Sequence, residues 1–276
     1  MKPNIGGRLY AIAFLAVISV VLQGASCEVV KPSVKVATDV PSAGKFPHGI
    51  FGRFLEKVVQ DGLVDYATAS LEESTLQEYM AEIARVSPDS HRHLFPTEPD
   101  QLAYWINAYN ACAIRGVLRF NRPQSFKGIE ARFDSDTKYV IGGHDLSLNQ
   151  VAGIAYRKFT DARVHLALVK ARRGGPPLAK EPWDASDLDD RLEAAAKAFV
   201  TDPHQIDWKA PSLRAGFSRV ILDFRGDFER EMPSTVSGDP RLVGSINRWR
   251  PRTDKVTATE VYPIPFDERL NDISNR

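Results

Sequence analysis

A histidine, two amides, a tyrosine and an arginine in the middle of this chain have the types and spacings that chemistry needs. His165 stands between Val164 and Leu166 in an otherwise apolar run, residues 163–169. A neutral imidazole in such a run needs a partner for its ring N–H. Facing a cleft it would be a general base; enclosed, it would only pack and hydrogen-bond. Asn107 and Asn110 lie three residues apart, with Tyr109 between them, in a segment that is apolar almost all round. Either amide would be suited to orienting an imidazole or stabilising an anion. Arg163 opens the histidine run. Asn107, Tyr109, Asn110, Arg163 and His165 are therefore the candidate binding residues, and His165 the candidate catalytic one.

These residues depend on two elements for their positions. Residues 102–118 have helical spacing: Leu102, Trp105, Tyr109, Cys112, Ala113 and Gly116 form one stripe. Asn110 falls beside Ile106 and Val117, whereas Asn107 points to the other side, among Ala103, Ala111, Ile114 and Leu118. A helix apolar on both sides lies inside a domain, so its amides must be paired. Asn110→Leu is expected to cost about 1–3 kcal/mol. Residues 163–169 read as a strand buried on both faces, since both alternate sets are largely apolar. Burial, with Arg163 and Lys170 at the ends of that run, predicts a neutral His165 whose pKa is depressed.

Other reactive types read more plainly. Cys112 lies on the apolar stripe and reads as a small buried hydrophobe. His91 and His93 occupy a polar loop between Pro88 and Pro96 and lack the further ligands a metal needs. Arg157, Lys158, Arg163, Lys170, Arg172 and Arg173 make a local basic excess, read as solvated surface with an anion or lipid-headgroup patch as the alternative. There is no Walker loop, dinucleotide fingerprint, nucleophile elbow or His-Glu-x-x-His, so no cofactor or metal is expected.

The remaining chain has the signals of a helix-rich α+β domain with a small sheet. Apolar spacing predicts helices around residues 50–59 and 76–84, the second with Ser70/Glu73 or Ser74/Gln77 as alternative capping boxes. Residues 138–146 read as a hairpin turning at Gly142-Gly143, and Ser147 with Gln150 caps the next helix. Ser186 with Asp189 is expected to cap a helix over Leu188 to Phe199. Phe217, Val220, Ile221 and Phe224 predict another helix, Asp239-Pro240 a further one, and residues 256–261 a closing strand.

The N-terminus reads as an address. Lys2 and Arg8 precede a fourteen-residue apolar run, residues 9–22, and Gln23-Gly-Ala-Ser-Cys27 follows. That is the pattern of an export signal, too short for a membrane span of about 20 residues. Cys27 is a candidate lipidation site; simple cleavage and an uncleaved anchor are the alternatives. Residues 1–26 are thus a signal, 27–47 a linker, and 48–276 the folded domain of an exported, bacterial envelope protein. The net charge of +1 over 276 residues, without a basic tract, excludes nucleic acid as the expected partner. The expected partner is an unidentified ligand or envelope component, with the membrane engaged through the N-terminus when lipidated.

Asp61-Gly-Leu-Val-Asp-Tyr66, Ala103-Tyr-Trp-Ile-Asn-Ala-Tyr-Asn-Ala111 and Arg163-Val-His-Leu-Ala-Leu168, in this order, resemble the domain-of-unknown-function 547 family. Ser147-Leu148, Asp227-Phe228 and residues 262–271 extend the resemblance to nearly the whole mature chain. It implies one exported domain and no settled activity. It also implies Ile-Glu-His where Val151-Ala152-Gly153 stand, and cysteines where Lys170 and Gly175 stand. The expected function is therefore a non-catalytic binding or scaffolding domain, the alternative being a hydrolase or transferase using His165 as general base.

Overall fold

The computed structural model describes residues 28–34, 40 and 44–275. The expected signal and Cys27 lie outside them. In chain order the elements are β1 (Glu28–Val30), α1 (Gly49–Val58), β2 (Val59–Gln60), β3 (Leu63–Val64), α2 (Tyr66–Leu71), α3 (Glu73–Arg85) and α4 (Glu98–Arg119). Then come β4 (Thr137–Ile141), β5 (His144–Ser147), α5 (Leu148–Phe159), α6 (Leu188–Thr201), β6 (Ile206–Asp207) and β7 (Arg214–Phe217). The chain closes with α7 (Arg219–Asp223), α8 (Arg225–Glu229), α9 (Asp239–Asn247) and β8 (Glu260–Pro263). This is a helix-rich α+β domain with small sheets. β4 pairs antiparallel with β5 and parallel with β1; β7 does the same with β6 and β8; β2 and β3 form a hairpin.

α4 is the centre of the fold, and local sequence explains where it starts. Thr97 accepts the Asp100 N–H while Asp100 accepts the Thr97 N–H at 3.1 Å, a reciprocal cap that satisfies two orphan donors. Pro99 sits in the first turn, where its missing N–H costs nothing. Between Leu102 and Val117 nearly every residue is buried, and α3 and α5 pack against this helix. Gly116 is required there, because a β-carbon would collide with Tyr139 and Phe133. A larger apolar core surrounds α4, and a smaller one lies among α6–α9 and β6–β8.

The hairpin at Gly142-Gly143 and the reciprocal Ser147–Gln150 cap form as expected; both glycines adopt positive φ. Several local readings are corrected. Residues 163–169 are not a strand: Ala162–Leu166 is a 3-10 turn whose start is capped by Asp161, accepting the Arg163 N–H at 2.8 Å. Its burial is as expected, but a run apolar on both alternate sets is equally compatible with any buried backbone. Neither anticipated cap precedes α3; α2 intervenes, capped by Asp65, which accepts the Thr68 N–H at 2.9 Å. Ser186 donates to Asp184 at 2.6 Å, and α6 starts without a side-chain cap. Phe217 ends β7, and Ser218 caps the short helix that follows. The closing strand spans Glu260–Pro263 rather than starting at residue 256. Within the expected linker, Glu28–Val30 pairs with β4 and Phe46 is buried in the larger core.

Candidate functional site

The chain between Asp161 and Leu178 passes from one core to the other, and α4 holds it in place. Asn110 donates from Nδ2 to the Ala167 carbonyl at 3.1 Å and accepts the Val169 N–H at 2.9 Å. Its amide thus replaces the ladder partner that a strand would have supplied. Asn107, on the other side of the helix, does the same to Trp183, donating to its carbonyl at 2.8 Å and accepting its N–H at 2.9 Å. Both amides are buried and both are backbone clamps, so neither is placed to orient an imidazole. Tyr109 is also buried, and burial followed by the nearby Asp134 raises its pKa, keeping the phenol protonated.

His165 leaves the 3-10 turn toward the smaller core. Its Nε2 lies 2.8 Å from Asp227 Oδ2. A carboxylate only accepts, so Nε2 carries the proton. The ring stacks on Phe224 at 3.8 Å between centroids, with Tyr156 at 4.7 Å and Phe228 at 6.0 Å. Burial lowers its pKa, Asp227 opposes that, and Lys170 and Arg230 lower it further. A neutral ring was legible in the sequence; Asp227, 62 residues away, was not. The enclosure by three aromatic rings leaves the imidazole only 4% exposed. It is a hydrogen-bonded core residue, not a base presented to a cleft.

The basic residues do not gather into one patch. Arg163 pairs with Asp161 and Asp189 at 2.8 and 2.7 Å. Arg172 is buried, pairs with Asp134 at 2.8 Å and Glu268 at 2.9 Å, and lies over the Phe126 ring. Lys158 reaches Asp89 at 4.0 Å. Cys112 is buried and its thiol pKa is pushed up by that burial, which suits an inert thiol. Among the described residues no group of three or more His, Cys, Asp or Glu side chains is arranged to hold a metal ion, and no helix is long and apolar enough to cross a membrane.

Beyond Lys170 the same segment borders a cleft of about 440 Å³, between the larger core and the end of α6. Arg173, Gly174 and Pro177 form one wall, Gln205 and Arg219 another, and Asn271 lies on the C-terminal strap. That strap is held by backbone bonds: the Arg173 N–H donates to Arg269 and the Asn271 N–H to Ala171. Three side chains bordering the cleft each bury a polar atom without a partner among the described residues: Arg173 Nη1, Gln205 Oε1 and Asn271 Nδ2. Asn271 and Gln205 are 3% and 6% exposed. The other end of the Asn271 amide is committed, since Oδ1 accepts the Tyr66 hydroxyl at 2.8 Å. Sequence reasoning missed this cleft because its residues come from five separate stretches of chain; only the Gly174-Gly175-Pro176-Pro177 loop marked it.

No curated protein matches this chain, and no solved structure does. Residues 95–200 match the model of the family described as "Protein of unknown function, DUF547". This stretch contains α4 with both amide clamps, the 3-10 turn with His165, and α6. Through the elements that build the candidate site, residues 95–200 of the chain are similar to the DUF547 family.

Proposed function

We propose that this protein is an exported domain of the cell envelope, tethered through Cys27, that binds a small polar ligand without catalysis. The observation that carries the binding reading is the concentration of unpaired buried polar atoms of Arg173, Gln205 and Asn271 around one cleft. An unsatisfied buried group costs about 1–3 kcal/mol, a cost that a ligand or bound water removes. Arg173 and Asn271 offer N–H donors and Gln205 an acceptor, which complements a carboxylate or carbonyl beside an N–H or O–H. The enclosure of His165 supports the absence of catalysis.

N-acetylglycine, which carries a carboxylate and an amide, is the probe. Titration is expected to shift the amide resonances of Gly174 and Gly175 and the Gln205 side chain, and Arg173→Met is expected to weaken binding about fivefold or more, the loss of one charged hydrogen bond. Diethyl pyrocarbonate is expected to leave His165 unmodified until the protein unfolds. No shifts at the cleft, together with ready modification of His165 in the native state, would replace this reading with a hydrolase or transferase using His165 as base.

The tether has its own test. Cys27→Ser is expected to move the protein from the membrane pellet to the soluble fraction, since acyl chains would supply the attachment. Unchanged retention, with no lipid mass on Cys27, excludes acylation.

A further inference from the structure

Lys170 follows the Asn110 clamp directly, and its amine faces a small cavity of about 90 Å³ that also touches Glu130, Asp134, Arg172, Arg219, Asp223 and Glu268. We propose that Lys170 is a reactive amine that captures a small uncharged aldehyde or ketone in this cavity as an imine. The inference does not depend on the cleft reading above.

The geometry leaves this amine uncommitted. Among the described residues no hydrogen bond or ion pair holds Nζ; its fixed neighbour is the Phe224 ring, 5.1 Å away. The acidic groups around it are already engaged. Asp134 and Glu268 bind Arg172 at 2.8 and 2.9 Å, and Asp223 binds Arg219 at 3.1 Å. Glu130 accepts the Gly128 N–H at 2.7 Å. His165, bonded to Asp227, stacks on the same Phe224 ring. An ammonium partly withdrawn from water and without a partner gives up its proton more readily. Burial accordingly lowers the Lys170 pKa, Asp134 and Asp223 oppose, and Arg172 and Arg219 add to the lowering. Such a lysine is the usual nucleophile toward carbonyl carbon.

The step balances without an oxidant or reductant. The Nζ lone pair attacks the carbonyl carbon as the C=O π bond opens, and one N–H proton passes to the oxygen to give a carbinolamine; the hydroxyl then leaves with the second N–H proton as water while the C=N bond forms. The four carboxylates against two guanidiniums leave an excess of negative charge around the product. That field tolerates a cationic iminium as it does the ammonium, and it disfavours an anionic oxo acid. The cavity is small, about 90 Å³, which favours a carbonyl compound of only a few heavy atoms.

The test uses the unmodified protein with acetaldehyde and cyanoborohydride, which reduces an imine to a stable ethyl-lysine that peptide mass mapping locates. At pH 7, Lys170 is expected to be ethylated about fivefold or more faster than the exposed Lys127, Lys180 and Lys197. The advantage is expected to shrink toward pH 10, where all free amines deprotonate, and to vanish in urea. Benzaldehyde, too large for the cavity, is expected to show no preference for Lys170. Labelling of Lys170 at or below the rate of the exposed lysines, or an advantage that persists in urea, overturns the proposal.

Discussion

Asn110→Leu is expected to destabilise the domain by about 2–6 kcal/mol, taking about 1–3 kcal/mol for each of two buried backbone groups left unpaired. The orphaned groups are the Ala167 carbonyl and the Val169 N–H. Spacing alone anticipated the burial of Asn110 and a loss of about 1–3 kcal/mol; the structure shows a two-point clamp on a segment without sheet partners. Leucine fills a similar volume, so the cost is one of hydrogen bonding rather than of a cavity. Urea denaturation reads the loss, and hydrogen exchange at the Val169 amide reads its cause: that amide is expected to exchange faster than its neighbours in α4. A variant within about 1 kcal/mol of the parent, below the range for even one orphaned group, would show that solvent or a relaxed backbone satisfies them.

Stability is expected to fall as the pH drops from about 6.5 to about 4, before the carboxylates protonate, and His48 is the main cause. Its Nδ1 lies 2.9 Å from the Tyr79 hydroxyl, and its ring meets Phe46 edge-on at 5.1 Å. Burial pushes its pKa down to about 4, against the opposing pull of Asp184 and Asp100. The unfolded chain takes up this proton near pH 6.5 while the folded one refuses it until about pH 4. Folding is therefore unpenalised above pH 6.5, and the penalty grows through this window and is complete below it. Each unit of depression corresponds to about 1.36 kcal/mol, so His48 contributes up to about 3 kcal/mol. His165, lowered in the same direction, adds to it. Asp65 and Asp184, held below the usual carboxylate range by the Thr68 N–H and the Ser186 hydroxyl respectively, act later. Their contribution is present above about pH 3.8 and is lost as the pH falls through their lower folded values. Unfolding in urea at pH 7, 5.5 and 4.5 separates the windows. His48→Gln is expected to flatten the loss between pH 6.5 and 4 by about one proton's worth. An unchanged slope would move the acid sensitivity to other groups.

The candidate site was legible in the sequence one residue at a time. Asn107 and Asn110 were read as buried on opposite sides of one helix, and His165 as neutral with its enclosure left open, because helical spacing and apolar neighbours are local properties. What each residue touches was not legible. The Asn110 partners lie 57 and 59 residues away and the Asn107 partner 76 away. Asp227, which fixes the His165 tautomer, lies on α8, where nothing in the spacing set it apart from other surface acids.

By itself the sequence determined the helix-rich α+β class, the central apolar helix, the Gly142-Gly143 hairpin and the Ser147–Gln150 cap. Each follows from hydrophobic period or from a side chain bonding a backbone group within a few residues, and such interactions form wherever the sequence is placed. The tertiary structure alone decided that residues 163–169 are a turn and an irregular strap instead of a strand. Continuous burial demands only that every backbone group be paired, and Asn110 on another element supplies two of those pairs. It also decided that Arg172 answers Asp134 and Glu268, leaving the Lys170 amine unpaired beside them, and that Arg173, Gln205 and Asn271 meet at one cleft. Whether a polar group is free or satisfied depends on atoms brought from distant parts of the chain, and no spacing in the sequence encodes that.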